Sequence, residues 1–224
     1  MAGRTSSTVL KSLDLLNALG AAAGTVTVSE MSRRTGIHKS TVVRLCATLL
    51  ERGYAERGAA GGYRLGVRAG ALGHAYHAQH GIEDTVRALL AALRDQTGES
   101  ASFYVREGNE RVCLVRENSR HDVRHHLEEG ARLPLAAGVV GRVLAAYSPD
   151  LPRGGAAIRR DGYLIGRGRE PHTASVSAPV ISAAGRLAGA LVVSGPAVRF
   201  TAGRQTEALK RVLHACAQLS EQLP

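Results

Sequence analysis

Lys39, Ser40, Thr41 and Arg44 crowd the opening turns of one predicted helix, which runs from about His38 to Glu51. Arg and Lys suit phosphate oxygens and guanine edges, and Ser and Thr suit bases or phosphates alike. The exposed amides of a helix start add a dipole that favours phosphate. His38, at the helix start, belongs to the same candidate DNA-binding set. The other face of the helix must hold these groups in place. Val42, Leu45, Cys46 and Leu49 recur at i, i+3, i+4 and i+7 and form one apolar stripe.

The flanking segments supply the frame. SEMSRRT reads as a preceding helix, capped by Ser29 and stopped by Gly36, where the chain needs positive φ. Ile37 then pins the turn into the core. After the second helix, Tyr54–Arg57 and Tyr63–Gly66 flank the glycine-rich GAAGG and read as a β-hairpin. Arg57 and Arg64 on that hairpin are candidates for positioning contacts to phosphate or the minor groove. Two helices, a tight turn and a hairpin make a winged helix-turn-helix, whose second helix enters the major groove of double-stranded DNA.

Charge follows the same division. The chain carries a net charge of +10 over 224 residues. Residues 1–68 hold ten Lys/Arg against four Asp/Glu, whereas residues 81–224 hold nineteen against fifteen. The excess that favours a polyanionic partner is thus densest at the helix-turn-helix end. Near the N-terminus, Val9, Leu10, Leu13, Leu16 and Leu19 have helical spacing, and Lys11, Asp14 and Asn17 interrupt the apolar run that a signal peptide needs. No stretch approaches a membrane span. Cys46, Cys113 and Cys216 are dispersed without a CxxC pair, which fits buried, reduced thiols in a cytoplasmic protein. His74, His77 and His80 share one face of a helical connector with no Asp, Glu or Cys beside them, which fits an interdomain or dimer-contact helix better than a metal site. His121, His125 and His126 cluster further on, on a predicted strand or loop, and the same caution applies to them. No nucleophile is placed beside a base by spacing, and no P-loop, kinase or zinc-enzyme motif occurs, so neither an enzyme nor a cofactor is expected.

The remainder divides into residues 1–66, a helical linker over 67–80 and a second domain over 81–224. In that domain the pattern predicts a helix from Ile82 to Thr97 and strands in ESASFYVREG, RVCLVREN and DVRHHLEEG. A helix from about Val140 to Tyr147 comes next, then a hairpin turning at Ala183–Arg186. The last helix is capped by Thr201 and runs toward Leu219. The order predicts an α+β domain around an antiparallel sheet.

RTGIHKSTVVRLCATLLERGYAER, YRLGVRAGALG, LPLAAGVVGRVLAA, RRDGY, SVSAPV and LVVSGP, in this order, resemble the IclR family of bacterial transcriptional regulators from about Thr8 to Leu219. The resemblance implies a GAF-like second domain that binds a small-molecule effector, an organic acid or an aromatic compound. It also implies homodimers or homotetramers on palindromic operators. By the same resemblance, Ala137, Gly138, Val139 and Val140, with Glu170 and Ser194, line the effector site. Two features depart from the family. Ala146 to Gly162 is too short for two extra helices, and Val139 and Val140 stand where smaller residues are usual, with Arg142 in place of Lys. The shortened segment motivates a second reading, in which the C-terminal domain only dimerises or binds a protein partner.

Overall fold

A computed structural model describes residues 5–58, 61–80, 83–125, 127–148 and 152–223, except for the side chains of residues 76–80. The chain divides into two units, residues 1–81 and 82–224.

The first unit begins with α1 (Ser7–Gly20), α2 (Val28–Thr35) and α3 (Lys39–Glu51). It continues with an antiparallel pair, β1 (Ala55–Arg57) and β2 (Tyr63–Leu65), and the helix α4 (Val67–His80). Leu15 and Leu19 of α1, Met31 of α2, Ile37 of the turn and the Val42/Leu45/Cys46/Leu49 stripe of α3 close one core with Tyr63. Gly36 ends α2 with φ +71°, as its place in the turn requires.

The structure corrects two expectations here. Thr27, not Ser29, caps α2: its hydroxyl accepts the Glu30 amide at 3.2 Å. A cap residue must itself be non-helical, and Thr27 is extended because Val26 bridges Tyr63 of the hairpin, while Ser29 already lies inside the helix. On α1, Val9, Leu10 and Leu13 are exposed, and the buried face is the i, i+4 pair Leu15 and Leu19. The first turns of α1 carry apolar side chains that this unit does not cover.

The second unit is built on α5 (Glu83–Thr97), β3 (Ser100–Glu107), β4 (Glu110–Glu117), β5 (Arg132–Pro134), α6 (Gly138–Ala146), α7 (Gly155–Asp161), β6 (Leu164–Arg167), β7 (Thr173–Ile181), β8 (Leu187–Pro196) and α8 (Ala202–Gln222). The strands form one sheet in the order β5-β4-β3-β8-β7-β6, with every neighbouring pair antiparallel. Alternate residues of the central strands face opposite helical layers. Phe103, Leu191 and Val193 join Leu90, Leu93, Val212 and Leu219 of α5 and α8. Tyr104, Ala190 and Val192 join Val140, Val143 and Leu144 of α6 and Ile158 of α7. Both sheet faces are therefore buried. Glu99, just before β3, is only 1% exposed, and Arg199, just before α8, grips it with two hydrogen bonds of 2.6 and 2.9 Å.

Here too some expectations give way. DVRHHLEEG forms no strand in its described residues, and the partner of β4's free edge is Arg132–Pro134. Thr201 stands at the N-cap of α8 without a side-chain cap bond; the Gln205 side chain instead donates to the Phe200 carbonyl at 2.6 Å. Among its described residues the shortened stretch after Ala146 holds one seven-residue helix, α7, between Gly154 and Gly162, both at positive φ.

Candidate functional site

His38 is the N-cap of α3. Its Nδ1 accepts the Ser40 amide at 3.4 Å and lies 2.8 Å from the Ser40 hydroxyl. The two side chains thus fix one another at the helix start. Lys39, Ser40 and Arg44 are exposed and Thr41 is half-buried. Among the described residues neither Lys39 nor Arg44 has a carboxylate partner. Ser40, Val43, Arg44 and Ala47 form one outward face at i, i+3, i+4 and i+7, with Val43 left 49% exposed. On α2, by contrast, Glu30 pairs with Arg33 and Arg34 at 2.5 and 2.7 Å, and those contacts hold its carboxyl below the usual carboxylate pKa. On the hairpin the two arginines differ. Arg64 is paired with Glu56 at 2.6 Å, whereas the Arg57 guanidinium stacks over the Tyr63 ring at 4.8 Å. Arg57 keeps its charge for an outside partner; that of Arg64 is already balanced.

The second unit contains a small pocket at the start of α6. Gly138 opens the helix at φ +71°, where a Cβ would come within 3.1 Å of the Arg169 amide. Ala137, at the N-cap, has no side chain to offer the exposed amides. Opposite the helix, Ser175 of β7 and Ser194 of β8 are direct ladder partners. Their hydroxyls have no hydrogen-bond partner among the described residues. Arg111 of β4 lines the same cavity and is only 2% exposed. Its Nη1 donates to the carbonyls of Pro134 and Ala137, each at 2.5 Å, and its fork lies 5.6 Å from the Tyr104 ring centre. Burial lowers the Arg111 pKa, and the Arg169 charge adds to the effect. The volume of this pocket is about 30 Å³.

Residues 8–59 match the IclR helix-turn-helix domain, and residues 74–153 match the family described as bacterial transcriptional regulator IclR C-terminal. The chain belongs to the IclR family of transcriptional regulators. It is 28% identical to the HTH-type transcriptional regulator BhcR of Paracoccus denitrificans, over 94% of this chain and 85% of that protein. It is 26% identical to the HTH-type transcriptional regulator KipR of Bacillus subtilis, over 96% of both chains. Two solved structures share the fold. The IclR transcriptional regulator from Alicyclobacillus acidocaldarius superposes with a TM-score of 0.82 at 19% identity, covering 96% of this chain and 98% of that one. An IclR homologue from Microbacterium hydrocarbonoxydans, complexed with 4-hydroxybenzoate, gives 0.76 at 21%, with the same coverage.

In this IclR-family chain, four of the six residues expected at the effector site line the cavity: Gly138, Val139, Val140 and Ser194. Ala137 contributes its carbonyl to Arg111 but does not line the space. Glu170 lies outside it, half exposed and paired with Arg169 at 2.6 Å. Arg111, Tyr104 and Ser175 also line the cavity and were not singled out from the sequence. The missed signal is parity: Arg111 precedes Cys113 by two residues in a strand, so it shares the face on which Cys113 is buried. Arg142 does not line this cavity and is exposed on the outer side of α6. The three thiols are all buried; burial raises the pKa of Cys46, pushes Cys113 up to about 11 and Cys216 up to about 12. At neutral pH none is a thiolate, so none is primed as a nucleophile or redox sensor. The expectations for the side chains of His77, His80 and His126 lie outside the described residues. Among the described residues no helix is long and apolar enough to cross a membrane.

Proposed function

We propose that this IclR-family regulator works in the cytoplasm, binds a palindromic operator as a dimer or a pair of dimers, and changes its operator affinity when a small molecule enters the cavity at the start of α6. The observation that carries the effector half is a small pocket lined by an unneutralised guanidinium and two unpartnered hydroxyls. Buried polar groups are ordinarily satisfied, yet the buried Nε of Arg111 has no acceptor among the described residues. The ligand-bound Microbacterium homologue of the same fold supports the reading. For the DNA half, Lys39, Ser40 and Arg44 lie on the outward face of α3, and half-exposed Val43 offers the kind of apolar surface that packs on a thymine methyl group. Self-association is supported by uncovered apolar side chains in the first unit: Val9, Leu10 and Leu13 on α1, and Val67 and Leu72 on α4. Coupling then needs only that the effector bind the DNA-bound and free states with different affinity.

The small size of the cavity favours a second reading, in which the C-terminal unit dimerises or binds a protein partner without a small ligand. Footprinting of genomic DNA with the purified full chain tests the first proposal. The expected result is an inverted repeat whose halves are about one helical turn, roughly 34–36 Å, or a multiple of it apart. Protection of isolated, unpaired half-sites would speak against a dimeric reader.

A further inference from the structure

We infer that the second unit has another ligand site, separate from the pocket at the start of α6. It is a groove between α6, α7 and the β3–β4 turn, and it takes a small organic polyanion: a short carbon skeleton bearing two or three carboxylate or phosphate groups. The inference goes beyond the effector reading above and does not depend on it, since no described residue lines both places.

Charge is the first argument. Arg106 at the end of β3, Arg142 of α6 and Arg153 just before α7 come from three parts of the chain to line one groove. Among the described residues no Asp or Glu lines it. Arg142 and Arg153 have no hydrogen bond or ion pair from their side chains there, and Arg106 makes a single 2.8 Å bond to the Gly108 carbonyl. The surrounding arginines differ. Arg132 of β5 holds both Glu107 and Glu110, Arg160 holds Asp161 at 2.9 Å, and Arg159 donates to the carbonyls of Ala146 and Ser148. The carboxylates on either side of the turn are thus already used, and the groove keeps its positive charges for an outside partner.

Size and lining supply the second argument. The groove has a volume of about 500 Å³, against about 30 Å³ for the pocket at the start of α6. Small-molecule sites generally span about 300–1,000 Å³. Its floor is apolar: Leu135 and Ile158 are buried and Ala145 is half-buried, while the three arginines are exposed around them. A low-dielectric floor beneath charges of one sign concentrates ions of the other sign. Guanidinium forks suit carboxylate and phosphate oxygens, and the floor suits the carbon skeleton that joins them.

The walls are set before any ligand arrives. Arg159 reaches from α7 to carbonyls at and beyond the end of α6, and its guanidinium stacks over the Tyr147 ring at 5.6 Å. The Leu135 amide donates to the Asn109 carbonyl at 3.0 Å, which ties the β3–β4 turn to the segment leading into α6. A site held in this way loses less on binding than one that must be ordered.

The test is calorimetric titration of the full chain with citrate, 3-phosphoglycerate, trimethyl citrate, pyrophosphate and a short polyglutamate peptide. The expected result is binding of citrate or 3-phosphoglycerate at one site per chain, weakened by added salt, with the better of the two naming the anionic group. Trimethyl citrate, which is neutral, should not bind. Arg142→Ala and Arg153→Ala should each weaken binding about tenfold, the lower end of the range for a hydrogen bond to a charged group, because both side chains stay in contact with water. Both are exposed and unpartnered, so circular dichroism should show the fold intact. Arg160→Ala removes one charge from α7 outside the groove and should change affinity less than about twofold. The proposal is overturned if neither organic anion binds, if binding survives both groove variants, or if Arg160→Ala weakens it as much as they do. Pyrophosphate binding as tightly as the organic anions would remove the role of the apolar floor and overturn it too. A polyglutamate peptide that binds more tightly than any small anion would make the groove a protein-docking face instead.

Discussion

Arg44 and Arg64 are both exposed arginines of the first unit, yet they are expected to behave differently on DNA. Among the described residues Arg44 stands without a carboxylate partner on the outward face of α3, while Arg64 is balanced by Glu56. Arg44→Ala and Lys39→Ala should each weaken operator binding by about 1–3 kcal/mol if the side chain reaches a base edge; if it reaches phosphate, the salt slope should fall by about one. Arg64→Ala should change affinity much less. Fluorescence anisotropy across a salt series, with circular dichroism to confirm the fold, measures all three. The α3 residues were readable in the sequence because a 3.6-residue period separates the buried stripe from the polar face. Arg111 was not, because ERVCLVRE reads as a strand with charged residues turned to water. That inference assumes one wet face. The fold covers both faces of the sheet, so a charge on the apolar parity is buried, and only the layer of α6 and α7 reveals it.

Among the elements, α6 bears the closest packing constraint. Gly141→Ala places a methyl group against the Leu135 carbonyl and the Arg111 guanidinium. Overpacking of this kind costs about 1–3 kcal/mol, so the melting temperature should fall by several degrees. Gly70→Ala in α4 is the control: its added Cβ meets nothing within 4 Å, and the gain in helix propensity should leave stability level or raised by up to about 1 kcal/mol. A melting temperature unchanged in Gly141→Ala would show that α6 moves aside without cost. Most helices and both long hairpins were legible from periodicity and turn residues. The misplacements share one cause: Ser29 against Thr27, and DVRHHLEEG against Arg132–Pro134, were each decided by a partner distant in sequence. Val26 reaches Tyr63 in the first case, and β4 meets Arg132–Pro134 in the second. Local propensity carries no information about either.

For the whole molecule, the division into a basic DNA-reading unit and an α+β unit was visible from charge and pattern alone. The exposed end of α1 was not, because helical spacing alone does not say which turns a neighbour covers. Leu10 and Leu13 are each about half exposed, and a charge there should be tolerated by the fold and opposed by any subunit that covers it. Leu10→Glu with Leu13→Glu should therefore shift the protein toward smaller species in sedimentation velocity while its helical content is kept; an unchanged distribution would place the contact between copies elsewhere. The strand order has a further consequence, which concerns synthesis. β3 pairs with its neighbour β4 at once, but its other edge waits for β8, and the Glu99–Arg199 clasp beside that seam joins positions 100 apart in the chain. Contacts of such long range form slowly. Until Leu187–Pro196 leaves the ribosome, an apolar strand edge stands open to any passing chain. The protein is thus most prone to aggregate as a nascent chain, and a ribosome stalled before β8 would release the species that chaperones most need to hold.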